Sequence, residues 1–264
     1  MGVLNVTPDS FSDGGHFIER DSALAQVRLM VEQGATIIDI GGESTRPGAE
    51  PVSIKTEIDR VVPIIEALQA SPDTFSGMAI SIDTSKPEVM AAALAAGASM
   101  INDVQALSVP GALEVAVNSD VPICLMHAMR LPRTMQSNPH YADVVVEVVT
   151  FLEERIAACV AAGIDRERLI IDPGFGFGKN LQHNLQLAQN LDRFSTLNLP
   201  VLVGVSRKSM FGAILDVEVD ERLYGSLAMT ALLLDKGASI VRTHDVAATR
   251  DVMKVVLAMT TTAR

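Results

Sequence analysis

The apolar residues of this chain gather into eight short, nearly unbroken runs: Gly2–Val6, Thr36–Ile40, Ala79–Ile82, Met100–Asn102, Pro122–Met126, Leu169–Ile171, Pro200–Val205 and Ser239–Val241. They are mostly continuous β-branched or aliphatic runs rather than alternating ones, which predicts strands buried on both faces and hence a parallel sheet. Between the runs, apolar residues recur at three- and four-residue steps. Val145, Val148, Val149, Leu152, Ile156 and Val160 form one such stripe, and Leu24, Val27 and Val31 another. That is the spacing of a single helical face. Ser85-Lys-Pro-Glu88 has the spacing of a capping box, with Pro87 where its missing N–H does no harm. Gly34, Gly97, Gly163 and Gly237 stand where helices should stop. Three of these glycines open a repeated phrase: Gly34-Ala-Thr-Ile-Ile-Asp-Ile, Gly97-Ala-Ser-Met-Ile-Asn-Asp and Gly237-Ala-Ser-Ile-Val-Arg-Thr. Each is a Gly-Ala step, then an apolar run, then a polar cluster.

Strands alternating with helical segments predict an α/β fold. We read residues 1–264 as one (β/α)8 TIM barrel, with the active site at the C-terminal ends of the strands. A doubly wound open sheet is the alternative. It would be expected to carry a glycine fingerprint after the first strand, where Thr7-Pro-Asp-Ser10 stands instead. No linker or low-complexity tract divides the chain, and Ser71–Met78 is its most loop-like internal stretch.

Charge narrows the function. A net charge of −11 argues against nucleic-acid or membrane-surface binding driven by bulk charge, while leaving room for an anionic ligand held by a few local cations. No signal peptide or membrane-length apolar run is present, so a cytoplasmic enzyme is expected. Met1-Gly2 lacks the Ser or Thr at position 6 that myristoylation requires, and the Asn5-Val-Thr7 sequon has no meaning without secretion. The two cysteines, Cys124 and Cys159, fall in apolar patterns and read as buried packing.

The predicted strand ends carry the chemistry: Asn5; Asp39 with Gly41-Gly-Glu-Ser-Thr-Arg-Pro-Gly48; Asp83; Asn102-Asp103; Met126-His127; Asp172; Ser206-Arg-Lys208; and Arg242-Thr-His-Asp245. One or two of the aspartates are expected to be helix caps or loop anchors. The rest fall into two chemical types. Asp83, Asn102, Asp172 and Lys208 form a mixed acceptor and donor set that suits a flat heterocycle with alternating N–H and C=O edges. Asn5, Arg242 and His244 suit a phosphorylated or diphosphorylated ligand with Mg2+. Gly174-Phe-Gly-Phe-Gly-Lys179 is not a phosphate-binding loop, because Pro173 and Asn180 stand where Gly and Ser or Thr are needed. It reads as a flexible loop after the sixth strand, bringing Phe177 near the ligand and leaving Lys179 as a solvated charge. Lys208 also has the chemistry of a Schiff-base nucleophile, but the acids around it fit ring recognition better. His16, His140 and His183 read as surface residues. His127 is divided between a structural hydrogen bond and a role at the rim.

These motifs resemble the dihydropteroate synthases of folate biosynthesis. The stretches that carry the resemblance are Gly2-Val-Leu-Asn-Val-Thr-Pro-Asp-Ser-Phe-Ser-Asp-Gly-Gly15, Asp39–Gly48, Ser81-Ile-Asp-Thr-Ser-Lys-Pro87, Ile101-Asn-Asp103, Leu125-Met-His127, Ile171–Lys179, Val203-Gly-Val-Ser-Arg-Lys-Ser209 and Val241-Arg-Thr-His-Asp-Val246. The family usually has a short stretch before the first strand, whereas this chain begins inside it, and Arg130 stands where the family usually has Gly. The resemblance implies condensation of 6-hydroxymethyl-7,8-dihydropterin diphosphate with 4-aminobenzoate, giving 7,8-dihydropteroate and diphosphate. It implies Asn5 as the Mg2+ ligand, and Arg242 and His244 on the diphosphate. Asp83, Asn102, Asp172 and Lys208 would hold the pterin ring, with Met126 as its apolar wall. Thr45, Arg46, Phe11, Asp13, Phe177 and Ser206 would frame the diphosphate and aminobenzoate region. Arg242, His244, Lys208 and Asp13 stand as the expected catalytic set, and a homodimer is expected because family members are generally dimers. No general base stands out and none is needed, since an aromatic amine is neutral and nucleophilic at pH 7. A pterin-dependent methyltransferase, or a pterin-binding protein without catalysis, is the alternative from another class.

Overall fold

Eight parallel strands run through the centre of the computed structural model, which describes residues 1–6, 16–44, 50–71, 75, 77–129 and 139–262. They are β1 (Gly2–Asn5), β2 (Ile37–Gly41), β3 (Ala79–Asp83), β4 (Met100–Asp103), β5 (Ile123–Met126), β6 (Leu169–Asp172), β7 (Leu202–Val203) and β8 (Ile240–Val241). Each predicted run coincides with one of them, although β2, β3, β4 and β6 extend one residue further, to Gly41, Asp83, Asp103 and Asp172. β1 to β6 pair in sequence order, and β7 pairs with β8. Two parallel bridges, Ile171 with Val201 and Gly2 with Thr243, join these groups and close the barrel.

The helices are α1 (His16–Glu32), α2 (Ile54–Gln69), α3 (Pro87–Ala95), α4 (Ala112–Val117), α5 (Val144–Ala161), α6 (Leu181–Gln189), α7 (Ser209–Leu215), α8 (Leu223–Asp235) and α9 (Val246–Thr262). No helix among the described residues is long and apolar enough to cross a membrane.

The repeated Gly-Ala phrase has a structural cause. Gly34, Gly97, Gly163 and Gly237 all adopt positive φ, between 100° and 111°. The glycine N–H bonds three residues back and the next N–H five back, as in Gly34 to Val31 and Ala35 to Met30. The same pair of bonds recurs at Gly97, Gly163 and Gly237. This is the Schellman ending, in which only glycine takes the left-handed position without penalty. The residue after it turns inward: Ala35, Ala98, Ile164 and Ala238 are all buried. The helix is thereby stopped and the next strand aimed at the barrel.

Both faces of the strands are buried, which is why the runs read as continuous. Outward residues such as Ile38, Ile40, Ile82, Ile101 and Ile171 join the large core beneath the helices. Inward residues Met100, Cys124, Ile170 and Leu202 form a separate apolar floor. Cys159 is also fully buried, on α5.

Two expectations of local structure need correction. Val160 is exposed, and Cys159 takes the last place in the buried stripe of Val148, Leu152 and Ile156. Stepping from Ile156 by three rather than four keeps the stripe facing the sheet. Ser85 does not cap α3: the cap position is Lys86, without a side-chain bond, and the Ser85 hydroxyl donates to Asp103 Oδ1 instead. A buried carboxylate on the next strand is the stronger acceptor.

Candidate active site

Strand register sets the site. Asp39 lies beside Ser81, Gly41 beside Asp83, Asp83 beside Asn102, and Met126 beside Asp172. With side chains alternating between the faces, Asp39, Ser81, Asp83, Asn102, Asp172 and Arg242 all fall inside the barrel above the apolar floor. Asp39 is fully buried, and Asp83, Asn102, Asp172 and Met126 are nearly so.

Arg242 joins what the sequence divided into two types. Its Nε donates to Asp39 Oδ2 at 2.6 Å and its Nη2 to Asp83 Oδ2 at 2.7 Å. The arginine expected on the diphosphate is therefore bonded to an acid expected on the ring, and the two sets form one network. Asn102 Nδ2 donates to the same Asp39 oxygen at 3.0 Å. Asp39 Oδ1, Asp83 Oδ1 and Ser81 Oγ are buried without a hydrogen-bond partner among the described residues. A buried acceptor left in this way at a strand end, as Asp83 Oδ1 is, calls for a donor from a ligand. Burial pushes the Asp83 carboxyl up, and the Arg242 guanidinium pulls it back down.

Asp172 holds the opposite wall. One of its oxygens accepts from the Gly174 N–H at 2.7 Å. Burial raises its pKa to about 6. Burial, with Arg242 nearby, lowers Lys208 to about 8. Lys208 Nζ sits 4.2 Å from the centroid of the Phe177 ring, a cation–π contact. Gly176 permits this approach, since a Cβ there would lie 3.0 Å from Lys208 Cδ. At the rim, Ser206 Oγ accepts from the His244 N–H at 3.1 Å and lies 3.0 Å from His244 Nδ1.

Lys179 is not a solvated charge. It is 2% exposed, and its Nζ donates to Gly174 O at 2.9 Å and Phe177 O at 3.0 Å, and lies 2.9 Å from His127 Nδ1. The Gly-rich turn points its carbonyls inward, and only a long side chain with several N–H groups satisfies them together. The loop is tied down rather than flexible, with Gly176 N also bonded to Asn184 Oδ1 at 2.7 Å. His127 thus has the structural role. Burial, with Lys179 alongside, lowers its pKa to about 3 and keeps it a neutral acceptor. His140 is exposed and His183 half-buried.

Two further polar residues are structural. Asp103 accepts from the backbone N–H groups of Gln105 and Leu107, both at 2.8 Å, anchoring a turn in which Ala106 and Leu107 have positive φ. Arg207 turns away from the mouth and grips Asp245 with two bonds, at 2.6 and 3.0 Å. Between β2 and β3, Lys86 bridges Glu43 at 2.5 Å and the buried Glu57 at 2.6 Å.

A family model described as pterin binding enzyme matches residues 1–244. The chain belongs to the pterin-binding enzymes. Within that family it is 54% identical to the dihydropteroate synthase of Haemophilus influenzae over 97% of this chain and 91% of that protein. The Yersinia pestis dihydropteroate synthase, solved in a sulfonamide drug complex, superposes with a TM-score of 0.92 at 48% identity, over 98% of this chain and 93% of that one. The Xanthomonas albilineans dihydropteroate synthase in complex with 7,8-dihydropteroate gives 0.88 at 47% identity, over 98% and 92%.

Of the residues expected in this pterin-binding site, Asp83, Asn102, Met126, Asp172, Phe177, Ser206, Lys208, Arg242 and His244 surround the barrel mouth, with Asn5 at the end of β1. Phe11, Asp13, Thr45 and Arg46 lie outside the described residues. Asp39 was recognisable as a polar strand end but carried no assigned role. A carboxylate two residues before the end of a buried strand was the available sign.

These shifts make a pH prediction. The ring contacts expected of Asp172 and Lys208 require the first ionised as an acceptor and the second protonated as a donor. On the acid side Asp172 loses its charge as pH falls through about 6, alongside Asp83, whose carboxyl burial also raises, and Lys208 loses its proton as pH rises through about 8. The kcat/KM for the pterin substrate should therefore be bell-shaped, with those two limbs. Lys208→Met should remove the alkaline limb from what activity remains. An alkaline limb unchanged in that variant would show that another group sets it.

Proposed function

We propose that this chain condenses 6-hydroxymethyl-7,8-dihydropterin diphosphate with 4-aminobenzoate, releasing 7,8-dihydropteroate and diphosphate. The observation that carries this is the buried acceptor frame. Asp83 Oδ1 has no partner among the described residues, and Asn102 gives its N–H to Asp39, leaving its carbonyl for a ligand. Asp172 has one oxygen committed to Gly174. Such a frame, with Lys208 as donor, selects a ring whose edge is rich in N–H groups, as the 2-amino-4-oxo edge of a pterin is. That the Xanthomonas albilineans relative is in complex with 7,8-dihydropteroate supports the same ring.

The chain's residues bind and orient. The ring sits among Asp83, Asn102 and Asp172 with Met126 as its apolar wall. Arg242 and His244 stabilise charge as the methylene–oxygen bond breaks, the electrostatic role usual for a departing anion. Phe177 and the Lys208 stem flank the position from which the aniline nitrogen attacks. The carbon–nitrogen bond forms as diphosphate leaves, and the amine's surplus proton passes to solvent. With the pterin delocalising the methylene cation, the displacement is SN1-like and needs no base.

The donor set is also compatible with Mg2+. No group of three His, Cys, Asp or Glu stands among the described residues to form a cage. Mg2+ commonly takes one or two protein oxygens and fills its shell with water and substrate phosphate. Asn5 would hold it, and the ion would neutralise charge on the leaving diphosphate. A homodimer is part of the proposal. Tyr224 and Leu232 on α8, and Val255 and Met259 on the adjoining α9, are exposed apolar side chains that a second copy would cover.

The test is diphosphate release measured with each substrate alone, with both, and with Mg2+ removed by chelation. Release should require both substrates and fall sharply without the metal. Release independent of 4-aminobenzoate would reject the condensation. Methyl transfer from a methylated pterin to a thiol, in its place, would establish the methyltransferase alternative, which has no use for Arg242 and His244 at a diphosphate.

A further inference from the structure

We infer that Asp39 is a positioning residue that fixes which hydrogen-bonding groups Asn102 and Arg242 present to the ring. Asp39 is fully buried below the ring-binding residues. Its Oδ2 receives both the Asn102 amide and the Arg242 Nε. An ionised carboxylate accepts and cannot donate. Asn102 must therefore turn its NH2 down toward Asp39 and its carbonyl up toward the mouth. The side chain that meets the ligand becomes an acceptor because of a residue the ligand does not touch.

The same oxygen governs Arg242. Nε and Nη2 form one edge of the guanidinium, an edge well matched to both oxygens of a single carboxylate. Here that edge is split, with Nε on Asp39 and Nη2 on Asp83. Without Asp39, Arg242 would turn its whole edge onto Asp83 and occupy both oxygens. Asp83 Oδ1 is left without a partner among the described residues because Asp39 takes the other half of the fork. One buried carboxylate thus preserves two acceptors for the ring, and the frame's preference for a donor-rich edge follows from it.

The inference rests on the pterin reading, and the experiment separates the two. Affinity is measured for pterin, whose position 2 carries an amino group, and for lumazine, which carries an oxo group there. The wild-type chain should prefer pterin by roughly 10-fold or more, since a lone buried acceptor facing an oxo group is unpaired. Asp39→Ala should bring the two affinities close together, because Asn102 is freed to rotate and Arg242 to close on Asp83. Asp39→Asn, which keeps an acceptor oxygen of the same shape, should restore most of the preference. A merely structural Asp39 would weaken both rings in proportion, and an unchanged ratio in folded Asp39→Ala overturns the inference. Absence of preference in the wild type overturns the pterin reading itself. Should Asp39→Ala not fold, the wild type still decides by NMR of side-chain amides. The Asn102 NH2 should be protected from exchange and unmoved by added pterin, and an NH2 signal that shifts onto the ring refutes the assignment.

Discussion

Arg242→Ala should lower turnover by about 100- to 1,000-fold, the usual cost of removing one stabilising donor from a developing anion. It should also weaken pterin binding, because Arg242 is bonded to Asp83 as well as to Asp39. A variant that loses turnover while binding pterin normally would show that Arg242 works on the leaving group alone. Stability should fall too, by about 3–5 kcal/mol, since removing one partner strands buried charge. That loss has a definite pH dependence. With the cation gone, Asp83, whose carboxyl burial already raises, takes up a proton more readily in the folded chain than in the unfolded one. Folding then gains on the acid side and loses as pH rises through the raised folded pKa. Urea denaturation at two pH values should show a smaller penalty in acid, and an equal penalty at both would contradict the account.

Gly174→Ala should be the most damaging single methyl in the chain's described loops. A Cβ at Gly174 would stand 1.9 Å from His127 O, and the residue has a φ of +72°. The positive φ alone costs about 1–2 kcal/mol. The contact cannot be relieved by a side chain, because His127 O is backbone, in a residue whose own N–H is bonded to Asp172 O. The loop itself must move, breaking the Gly174 bond to Asp172 and the Lys179 bond to Gly174 O. Phe177 would then leave its place beside Lys208, and kcat/KM for 4-aminobenzoate should drop by about 100-fold, the scale set by a 1 Å misplacement. Gly163→Ala is the control. It has a φ of +102° but nothing within 4 Å, so it should cost only the backbone penalty and leave activity intact. Equal damage from both would show that steric contact at Gly174 is not the cause.

The barrel was legible because its strands are buried on both sides and four of its helices end on one device. A run such as Ile37–Ile40, broken only by Asp39 and introduced by Gly34-Ala, admits few other structures. The polar strand ends were legible for a related reason: an aspartate at the end of an apolar run has little to do in a scaffold. What stayed hidden depends on partners distant in sequence. Lys179 reads as an ordinary surface lysine until the turn carbonyls of Gly174 and Phe177 are seen closing on it. Ser85 has the right spacing for a cap, but spacing carries no information about Asp103 on the neighbouring strand. The link between the residues expected on the ring and those expected on the anion was hidden likewise, since Arg242 meets Asp39 and Asp83 only when the barrel closes.

That closure has a kinetic side. β8 is held by a two-residue ladder to β7 and, on its other side, by a bridge between Gly2 and Thr243 with hydrogen bonds from Val3 N–H to Thr243 O and from Thr243 N–H to Met1 O. Yet it carries Arg242, whose bonds to Asp39 and Asp83 span 203 and 159 residues of sequence. Contacts so distant close large loops and are expected to form late, after the local βα units have collapsed. The arginine then works as the buckle of the barrel, fastened from inside across the mouth. Any ligand that takes hold of Asp83 and Arg242 together tightens that buckle, so the last step of folding and the first step of recognition use the same pair of bonds.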